Sequence, residues 1–95
     1  RYIASTISRN ALETALQSRD FSDLDLRGLQ ADERDLAGLI ARRAKLRDAH
    51  FERANLSDAD FSEANLSNAH LQKANLQNAD LTGADVEGAD FSGAD

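Results

Sequence analysis

Alanine recurs at every fifth residue from Ala44 to Ala94, so about half of the chain follows one fixed period. A larger apolar residue lies two positions after each alanine from Ala44 to Ala89, and Asn or Asp usually lies between the two. These larger residues are Leu46, Phe51, Leu56, Phe61, Leu66, Leu71, Leu76, Leu81, Val86 and Phe91. A short fixed period is typical of solenoids, in which each repeat buries its apolar side against its neighbours. The sequence therefore predicts that these larger residues form the core of a repeat stack.

A period of five excludes the two regular secondary structures as continuous elements. A helix turns by about 100° per residue, so apolar residues five apart would spread around its surface. A strand alternates with a period of two, which a period of five interrupts in every repeat. We interpret each repeat as an inward alanine, an outward residue, an inward central residue and two turn residues. Four repeats would close a square coil of twenty residues, and stacked coils would be held by backbone hydrogen bonds about 4.8 Å apart.

The same register extends back to Phe21. All five glycines fall two residues after a central position, a place they share with Asp48, Asp58, Asn68 and Asn78. Gly, Asn and Asp tolerate a positive φ, so this position predicts a corner of the coil. Arg34 places a charge at an inward alanine position. Because an unpaired buried guanidinium is costly, we expect a bulge or outward loop near residues 30–35.

Residues 1–20 carry no repeat and predict an N-terminal capping helix, followed by the repeats in residues 21–95. Apolar residues four apart form one helical stripe, with Ile3, Ile7, Ala11 and Ala15 in line and Leu12 and Leu16 beside them. Asn10 and Glu13 have the spacing of a capping box. We expect the helix at about 10–18, with residues 2–8 as its extension or as an extended lead-in. A partner-binding or membrane helix is the alternative, but a repeat stack needs a cap and we favour that role.

A coil of twenty residues would place residues twenty apart in one column. His50 and His70 would then stack on one outward face, with Asp90 next to them. Two imidazoles and a carboxylate could hold a divalent metal. We favour solvated histidines at a tolerant position, and we predict neither a metal nor a cofactor. The column of Asp23, Arg43 and Glu63 would alternate in charge, which would stabilise the stack modestly.

The net charge of −6 is distributed unevenly. Residues 1–50 hold nine Lys or Arg against eight Asp or Glu, whereas residues 51–95 hold two against nine. The acidic second half argues against a nucleic-acid partner, because phosphate would be repelled. One basic concentration, Arg42, Arg43, Lys45 and Arg47, is a candidate surface for an acidic partner or an anionic lipid. An ordinary solvent-exposed role is the alternative that we favour for it.

The A(D/N)LXX units resemble the pentapeptide repeat family, strictly over residues 44–95 and loosely over residues 21–43. The resemblance implies an all-β solenoid: a right-handed quadrilateral parallel β-helix of about four coils, here with a short N-terminal α-helix cap. It also implies a module that mediates contacts, often attached to another domain, and no shared active site. A rod with a filled core offers no pocket for catalytic groups, so we predict that the protein is not an enzyme.

We therefore expect a non-enzymatic structural or protein–protein interaction module, cytoplasmic by default, that forms part of a longer protein. No apolar run approaches the length of a membrane span. The alternative is a DNA-mimicking inhibitor of an enzyme such as DNA gyrase, suggested by Asp60, Asp80, Asp85, Asp90 and Asp95. Fewer than four coils would give roughly 18 Å of rod, or about five base pairs, which argues against mimicry. The last coil, near Phe91, would expose unpaired strand edges, so we expect further repeats beyond Asp95 or end-to-end self-association.

Overall fold

The chain winds as a parallel β-solenoid with twenty residues in each coil. The computed structural model describes the backbone of residues 9–95 and the side chains of residues 13–95. Helix α1 spans Arg9–Ser18, and isolated parallel β-bridges follow at every fifth residue. Each bridge joins residues twenty apart, from Asp20 with Ile40 to His70 with Asp90. The expectation for residues 2–8, including Ile3 and Ile7, lies outside the described residues, as do the side chains of Ala11 and Leu12.

Every repeat turns its corner through a four-residue turn that starts at the central residue. The N–H of Leu24 donates to the carbonyl of Phe21 at 3.1 Å, and the same bond recurs in each repeat as far as Ala94 and Phe91, at 2.9 Å. The third residue of each turn has a positive φ, between 57° and 75°. Type II turns require this conformation at their third residue. The corner lies at the predicted position, and its positive φ is kept even where the residue is Arg, Lys or Glu.

In the middle coils, three further N–H groups of each repeat bind a neighbouring coil. In one repeat, the N–H of Leu26 donates to the carbonyl of Lys45 and the N–H of Gly28 to that of Arg47, both at 2.8 Å. The N–H of Lys45 donates back to the carbonyl of Leu24, also at 2.8 Å. With the turn bond, these contacts satisfy four of the five N–H groups in a repeat. The group left over belongs to the residue after the central one, the first residue of the corner.

The interior is filled by the central residues and the alanines. Leu46, Phe51, Leu56, Phe61, Leu66 and Leu71 are at most 1% exposed. The rings of Phe51 and Phe61 meet edge to face with centroids 6.2 Å apart, a favourable arrangement for aromatic pairs. Leu76, Leu81 and Phe91 are partly buried against this core. Val86 is 38% exposed, so its predicted place in the core is wrong, because the last coil is covered by another coil on one side only.

The backbone keeps its register through residues 30–35, so the predicted bulge is wrong. Gln30 bridges His50, Asp35 bridges Asn55, and the N–H of Asn55 donates to the carbonyl of Arg34 at 2.9 Å. The Arg34 side chain is exposed. Arg34 lies in the first coil, with α1 rather than another coil before it. Its long side chain can therefore reach solvent without displacing the backbone.

Helix α1 packs on the N-terminal end of the solenoid. Ala15 is buried in the same core cluster as Phe21, and Leu16 packs against that cluster. The helix is followed by Arg19 with φ 59°, the left-handed conformation that commonly ends helices. The Arg19 guanidinium then donates to the carbonyl of Asp35 at 2.7 Å, which fixes the exit of the helix to the first coil. Along residues 9–95, no helix has the length and apolar character needed to cross a bilayer.

Candidate functional site

The outward residues form four columns, one on each side of the coil, which we name by their members. Face A carries Asp20, Ile40, Asp60 and Asp80; face B carries Asp25, Lys45, Asn65 and Asp85. Face C carries Gln30, His50, His70 and Asp90; face D carries Asp35, Asn55, Asn75 and, by register, Asp95. Because the interior is filled, these faces and the corners between them are the surfaces available for recognition.

Asn and Asp at the outward position satisfy the one N–H that the coil ladder leaves over. The Oδ1 atom of Asn65 accepts from the N–H of Ser67 at 2.9 Å, and that of Asp80 accepts from the N–H of Thr82 at 2.9 Å. Bonds of this kind follow ten outward residues, Asp20, Asp25, Asp35, Asn55, Asp60, Asn65, Asn75, Asp80, Asp85 and Asp90. This local Asx hydrogen bond is the physical reason for the Asn/Asp preference in the repeat.

Face C departs from this rule in three successive coils. From Asp20 to Asp90, five outward residues are neither Asn nor Asp: Gln30, Ile40, Lys45, His50 and His70. Ile40 and Lys45 are single exceptions on faces A and B. Gln30, His50 and His70 follow one another down face C, and the rule returns only at Asp90. The residue types on face C are therefore the ones that backbone hydrogen bonding explains least.

His50 and His70 stack face to face. Their ring centroids are 4.4 Å apart and their planes differ by 5°, and both side chains are half-buried. The predicted juxtaposition with Asp90 is present through the bridge between His70 and Asp90. Hydrogen bonds from the hydroxyl and N–H of Ser92 hold the pKa of Asp90 below its usual value, with smaller contributions from His70 and from the Gln72 amide. Asp90 is therefore an ionised carboxylate at the end of the histidine column.

The histidine stack is poorly arranged for a metal ion. The nitrogen lone pairs of an imidazole lie in the plane of its ring, and the two rings here lie in parallel planes. A single ion cannot lie in both planes at once. Within residues 13–95, moreover, no three His, Asp or Glu side chains come together as a group that could hold a metal.

The predicted basic cluster does not converge on one face. Arg42 and Arg43 lie at the corner between faces A and B, Lys45 on face B, and Arg47 at the next corner. Three of the four make ion pairs: Arg42 with Asp60 at 2.6 Å, Arg43 with Asp23 at 2.8 Å, and Arg47 with Asp48 at 3.8 Å. The side chains of these arginines are 54–57% exposed, so each pair adds little to stability. The pairs nevertheless compensate most of the cluster's charge.

The column containing Asp23 and Arg43 has the predicted spacing of twenty residues. The guanidinium of Arg43 donates to both carboxylate oxygens of Asp23, at 2.8 and 3.1 Å. This hydrogen bonding lowers the pKa of Asp23 and raises that of Arg43. Where like charges stack, at Asp32 over Glu52, the Asp32 carboxylate instead accepts from the N–H of Glu52 at 2.8 Å. A backbone N–H thus stabilises the Asp32 carboxylate where the stacked residue is another carboxylate rather than a cation.

Comparison with known proteins identifies the repeat. Residues 41–72 and 59–95 match the family model for pentapeptide repeats (8 copies). The chain belongs to the pentapeptide repeat family. In this pentapeptide repeat protein, the five-residue unit is therefore built with the Asx hydrogen bonds and positive-φ corners described above. Comparison with curated protein sequences gives no match.

Several solved structures are similar to this pentapeptide repeat protein. Rfr23 from the cyanobacterium Cyanothece 51142 is 20% identical, over 94% of this chain and 95% of that one, with a TM-score of 0.46. A second, alr5209 from Nostoc Pcc 7120, is 30% identical, over 79% of this chain and 71% of that one, with a TM-score of 0.31. QnrB1, a plasmid-mediated fluoroquinolone resistance protein, is 24% identical, with a TM-score of 0.41. That match covers 79% of this chain and 44% of QnrB1.

One group of basic residues is separated along the chain and lies together only in the folded coil. Residues 50–53 read HFER and residues 70–73 read HLQK, one coil apart. His50 and His70 therefore lie beside Arg53 and Lys73, which are the two Lys or Arg residues of the acidic second half. The spacing of twenty residues, rather than proximity along the chain, is the sequence signal that identifies this group.

Proposed function

We propose that this protein is a non-enzymatic interaction module: a right-handed square rod of about four coils that displays its outward faces to a protein partner. In this proposal residues 21–95 form the rod and residues 1–20 carry the helix that caps its N-terminal end. The packing of Ala15 and Leu16 on the core cluster supports the cap. The rod supplies rigidity, and the outward side chains supply recognition.

The observation that carries this proposal is the loss of the Asx hydrogen bond at three successive positions of face C. Gln30 and His70 together forgo roughly 2 kcal/mol that Asn would supply, at about 1 kcal/mol net for each bond. At His50 the Asp32 carboxylate of the coil before accepts from the N–H of Glu52 instead. Domains are typically stable by only about 5–15 kcal/mol. The coil continues past these residues without distortion, so the fold does not need them. A contact made by their side chains would explain why a stabilising residue is absent there.

The matched test uses substitutions that restore the repeat's own preference. The triple substitution Q30N/H50N/H70N alters face C, and I40N/K45N makes the same kind of change on faces A and B. Both variants are expected to unfold at a higher temperature than the parent protein. Each protein is immobilised, and the proteins it retains from a lysate of the source cells are compared by quantitative mass spectrometry. We expect a partner that is retained by the parent and by I40N/K45N and lost with Q30N/H50N/H70N. An identical set of retained proteins for all three would contradict an interaction through face C.

DNA mimicry is a second candidate, favoured by the carboxylates of face A. Hydrogen bonds from Ser62, with a contribution from Arg42, lower the pKa of Asp60 to about 2, and hydrogen bonds from Thr82 lower that of Asp80. Both are therefore ionised at neutral pH. The longest extent of the molecule is 32 Å, the length of only about nine base pairs. Face A is also interrupted by Ile40, which is 42% exposed. A DNA gyrase supercoiling assay tests this candidate, and unchanged supercoiling at saturating protein would eliminate it.

The C-terminal end supports a further proposal, association through the last coil. Val86 is exposed there, and Leu81 and Phe91 are only partly buried. We propose that further repeats or a second copy of the chain, joined end to end, cover this coil. Light scattering at high concentration tests the second copy, and a monodisperse 10.3 kDa monomer would contradict it.

A further inference from the structure

Ile40 differs from the other outward residues of face A in two respects. Aspartate fills this position on the other three coils, and each aspartate accepts a hydrogen bond from the N–H two residues on. An isoleucine side chain has no acceptor, so it cannot bind the N–H of Arg42 in this way. Ile40 is also 42% exposed, and among residues 13–95 only Val86 in the last coil is a second exposed large hydrophobic residue. A single exposed apolar residue is common on protein surfaces, but this one replaces a residue that would stabilise the coil.

The surface beside Ile40 is open on one side. The corner before it consists of Ala37 and Gly38, and a Cβ added at Gly38 would meet no atom within 4 Å. On the other side, Arg42 is held by its ion pair with Asp60 of the following coil, at 2.6 Å. A partner can therefore reach Ile40 over the corner of Ala37 and Gly38 without displacing a long side chain.

The surroundings of Ile40 are acidic. Hydrogen bonds from the Ser or Thr two residues on lower the pKa of each of the three aspartates of face A, so all three are ionised at neutral pH. The cations near face A are Arg42 and Arg43 at one corner, and Arg19 at the start of the first coil. Six carboxylates oppose these three cations, which leaves three negative charges in excess. The six belong to face A and the corners on either side of it: Asp20, Asp23, Asp58, Asp60, Glu63 and Asp80.

This charge decides which kind of partner face A can accept. A second copy of the chain docked through Ile40 would place the aspartates of the two copies against each other in either direction. Nucleic acid and anionic lipid would be repelled as well. A protein segment that carries positive charges on both sides of an apolar residue complements Ile40 and the carboxylates together.

We propose that face A binds an extended basic segment of another protein, with Ile40 against an apolar side chain that lies between two Lys or Arg of that segment. Stacked coils are about 4.8 Å apart, so Asp20 and Asp60 lie about 4.8 Å to either side of Ile40, and Asp80 about 9.6 Å away. Alternate residues of an extended segment are about 7 Å apart. The cations of the segment would therefore lie near Asp20 on one side and between Asp60 and Asp80 on the other.

This inference goes beyond the proposed function, because it concerns face A and a ligand of different chemistry from that of face C. It also differs from DNA mimicry, in which Ile40 only interrupts a column of carboxylates. Here Ile40 is the residue on which recognition depends.

The test measures the affinity of the whole protein for two fluorescein-labelled peptides by fluorescence anisotropy, at pH 7.5 in 100 mM NaCl. At this ionic strength charges more than about 10 Å away are largely screened. One peptide reads Lys-Ser-Lys-Ser-Leu-Ser-Lys-Ser-Lys, and the other has serine in place of leucine. We expect the parent protein to bind the leucine peptide at least fivefold more tightly than the serine peptide. Ile40→Asn should reduce this preference to less than twofold, although its added Asx bond raises Tm, and Ile40→Val should keep at least a threefold preference.

A pair of variants tests the carboxylates. D20N/D80N, on face A, should weaken the binding of both peptides at least fivefold. The matched control D35N/D85N removes two outward carboxylates from faces D and B, and its affinities should stay within twofold of the parent's. All four aspartates accept an Asx hydrogen bond, which asparagine can also accept, so the fold is retained.

An equal loss in D20N/D80N and D35N/D85N would show that only the overall charge matters and would overturn the proposal. So would equal affinity of the parent for the two peptides, the absence of binding by the parent, or an unchanged preference in Ile40→Asn. Q30N/H50N/H70N should bind both peptides as the parent does, and weaker binding by that variant would also contradict a site on face A. The failure of this inference and the failure of an interaction through face C are therefore observed separately.

Discussion

Replacing Asn65 with alanine tests the Asx hydrogen bond as the stabilising element of the repeat. The Oδ1 atom of Asn65 accepts two hydrogen bonds from Ser67, from the N–H at 2.9 Å and from the hydroxyl at 2.7 Å. Ser67 is only 5% exposed, and it is the buried polar residue of the described chain. Asn65→Ala therefore removes the acceptor of two donors that water reaches poorly.

The expected loss follows from the number of stranded donors. A buried donor without a partner costs about 1–3 kcal/mol, but the Ser67 hydroxyl can rotate toward another acceptor, so the backbone N–H carries most of the penalty. We expect Asn65→Ala to lower the free energy of unfolding by about 2 kcal/mol. For a domain of this size each kcal/mol shifts Tm by roughly 4–8 °C, which gives a fall of about 8–16 °C. Asn65→Asp keeps the acceptor and should change stability by less than about 0.5 kcal/mol.

Urea unfolding followed by far-ultraviolet circular dichroism measures these differences. The control is Lys45→Ala, on the same face one coil earlier, where the outward side chain makes no Asx bond; it should cost less than about 0.5 kcal/mol. Ser67→Ala, alone and combined with Asn65→Ala, completes a double-mutant cycle that isolates the hydroxyl contribution. If Asn65→Ala and Lys45→Ala lose equal stability, the Asx bond is not the reason for the Asn/Asp preference.

Three further predictions concern the core, acid stability and a corner. Phe61→Leu, in the closed core, should cost about 1–2 kcal/mol, and Val86→Ala, in the last coil, clearly less; equal losses in urea unfolding would contradict the difference in burial. The pKa of Asp60 is lowered to about 2, so its stabilisation is present above the ordinary carboxyl pKa of 3.8 and is lost as the pH falls from about 4 to 2. Asp60→Asn should therefore cost up to about 1 kcal/mol at pH 7 and much less at pH 2, and a deficit at pH 2 equal to that at pH 7 in unfolding titrations would refute this. At Gly38, φ is 75° and an added Cβ would meet no atom within 4 Å, so Gly38→Ala should cost only the conformational strain, about 1 kcal/mol, measured as a lower Tm.

The repeat could be predicted from the sequence because its physical constraints are local and recur every five residues. An inward alanine, a large central residue and a corner residue each leave a signature at a fixed position. The same information identifies a preference for Asn or Asp at the outward position, as at Asn65. Its reason required a count of backbone N–H groups: the ladder and the turn use four of each five, and the fifth needs a side-chain acceptor. That count is possible only once the partners of each N–H are known.

The two errors about burial have one physical cause. The inward alanine position of Arg34 predicts a bulge that would keep its charge out of the core, and the central position of Val86 predicts burial. Both lie in coils that another coil covers on one side only, where an inward position no longer guarantees burial. Periodicity describes the interior of a stack and says nothing of its ends, so such assignments hold best in the middle coils, as at Leu56 and Phe61.

Residues that are neighbours along the chain need not be neighbours in the stacked coils, and the basic residues of this protein illustrate the difference. Arg42 and Arg47 are neighbours along the chain, yet in the structure they belong to different corners and pair with different carboxylates. Residues twenty apart are the true neighbours, and at that spacing His50 and His70 stand in contact. Because the Asx bond constrains most outward positions, a departure from Asn or Asp carries information that an ordinary exposed residue does not. On the proposed function, the successive departures on face C reflect contacts with a partner.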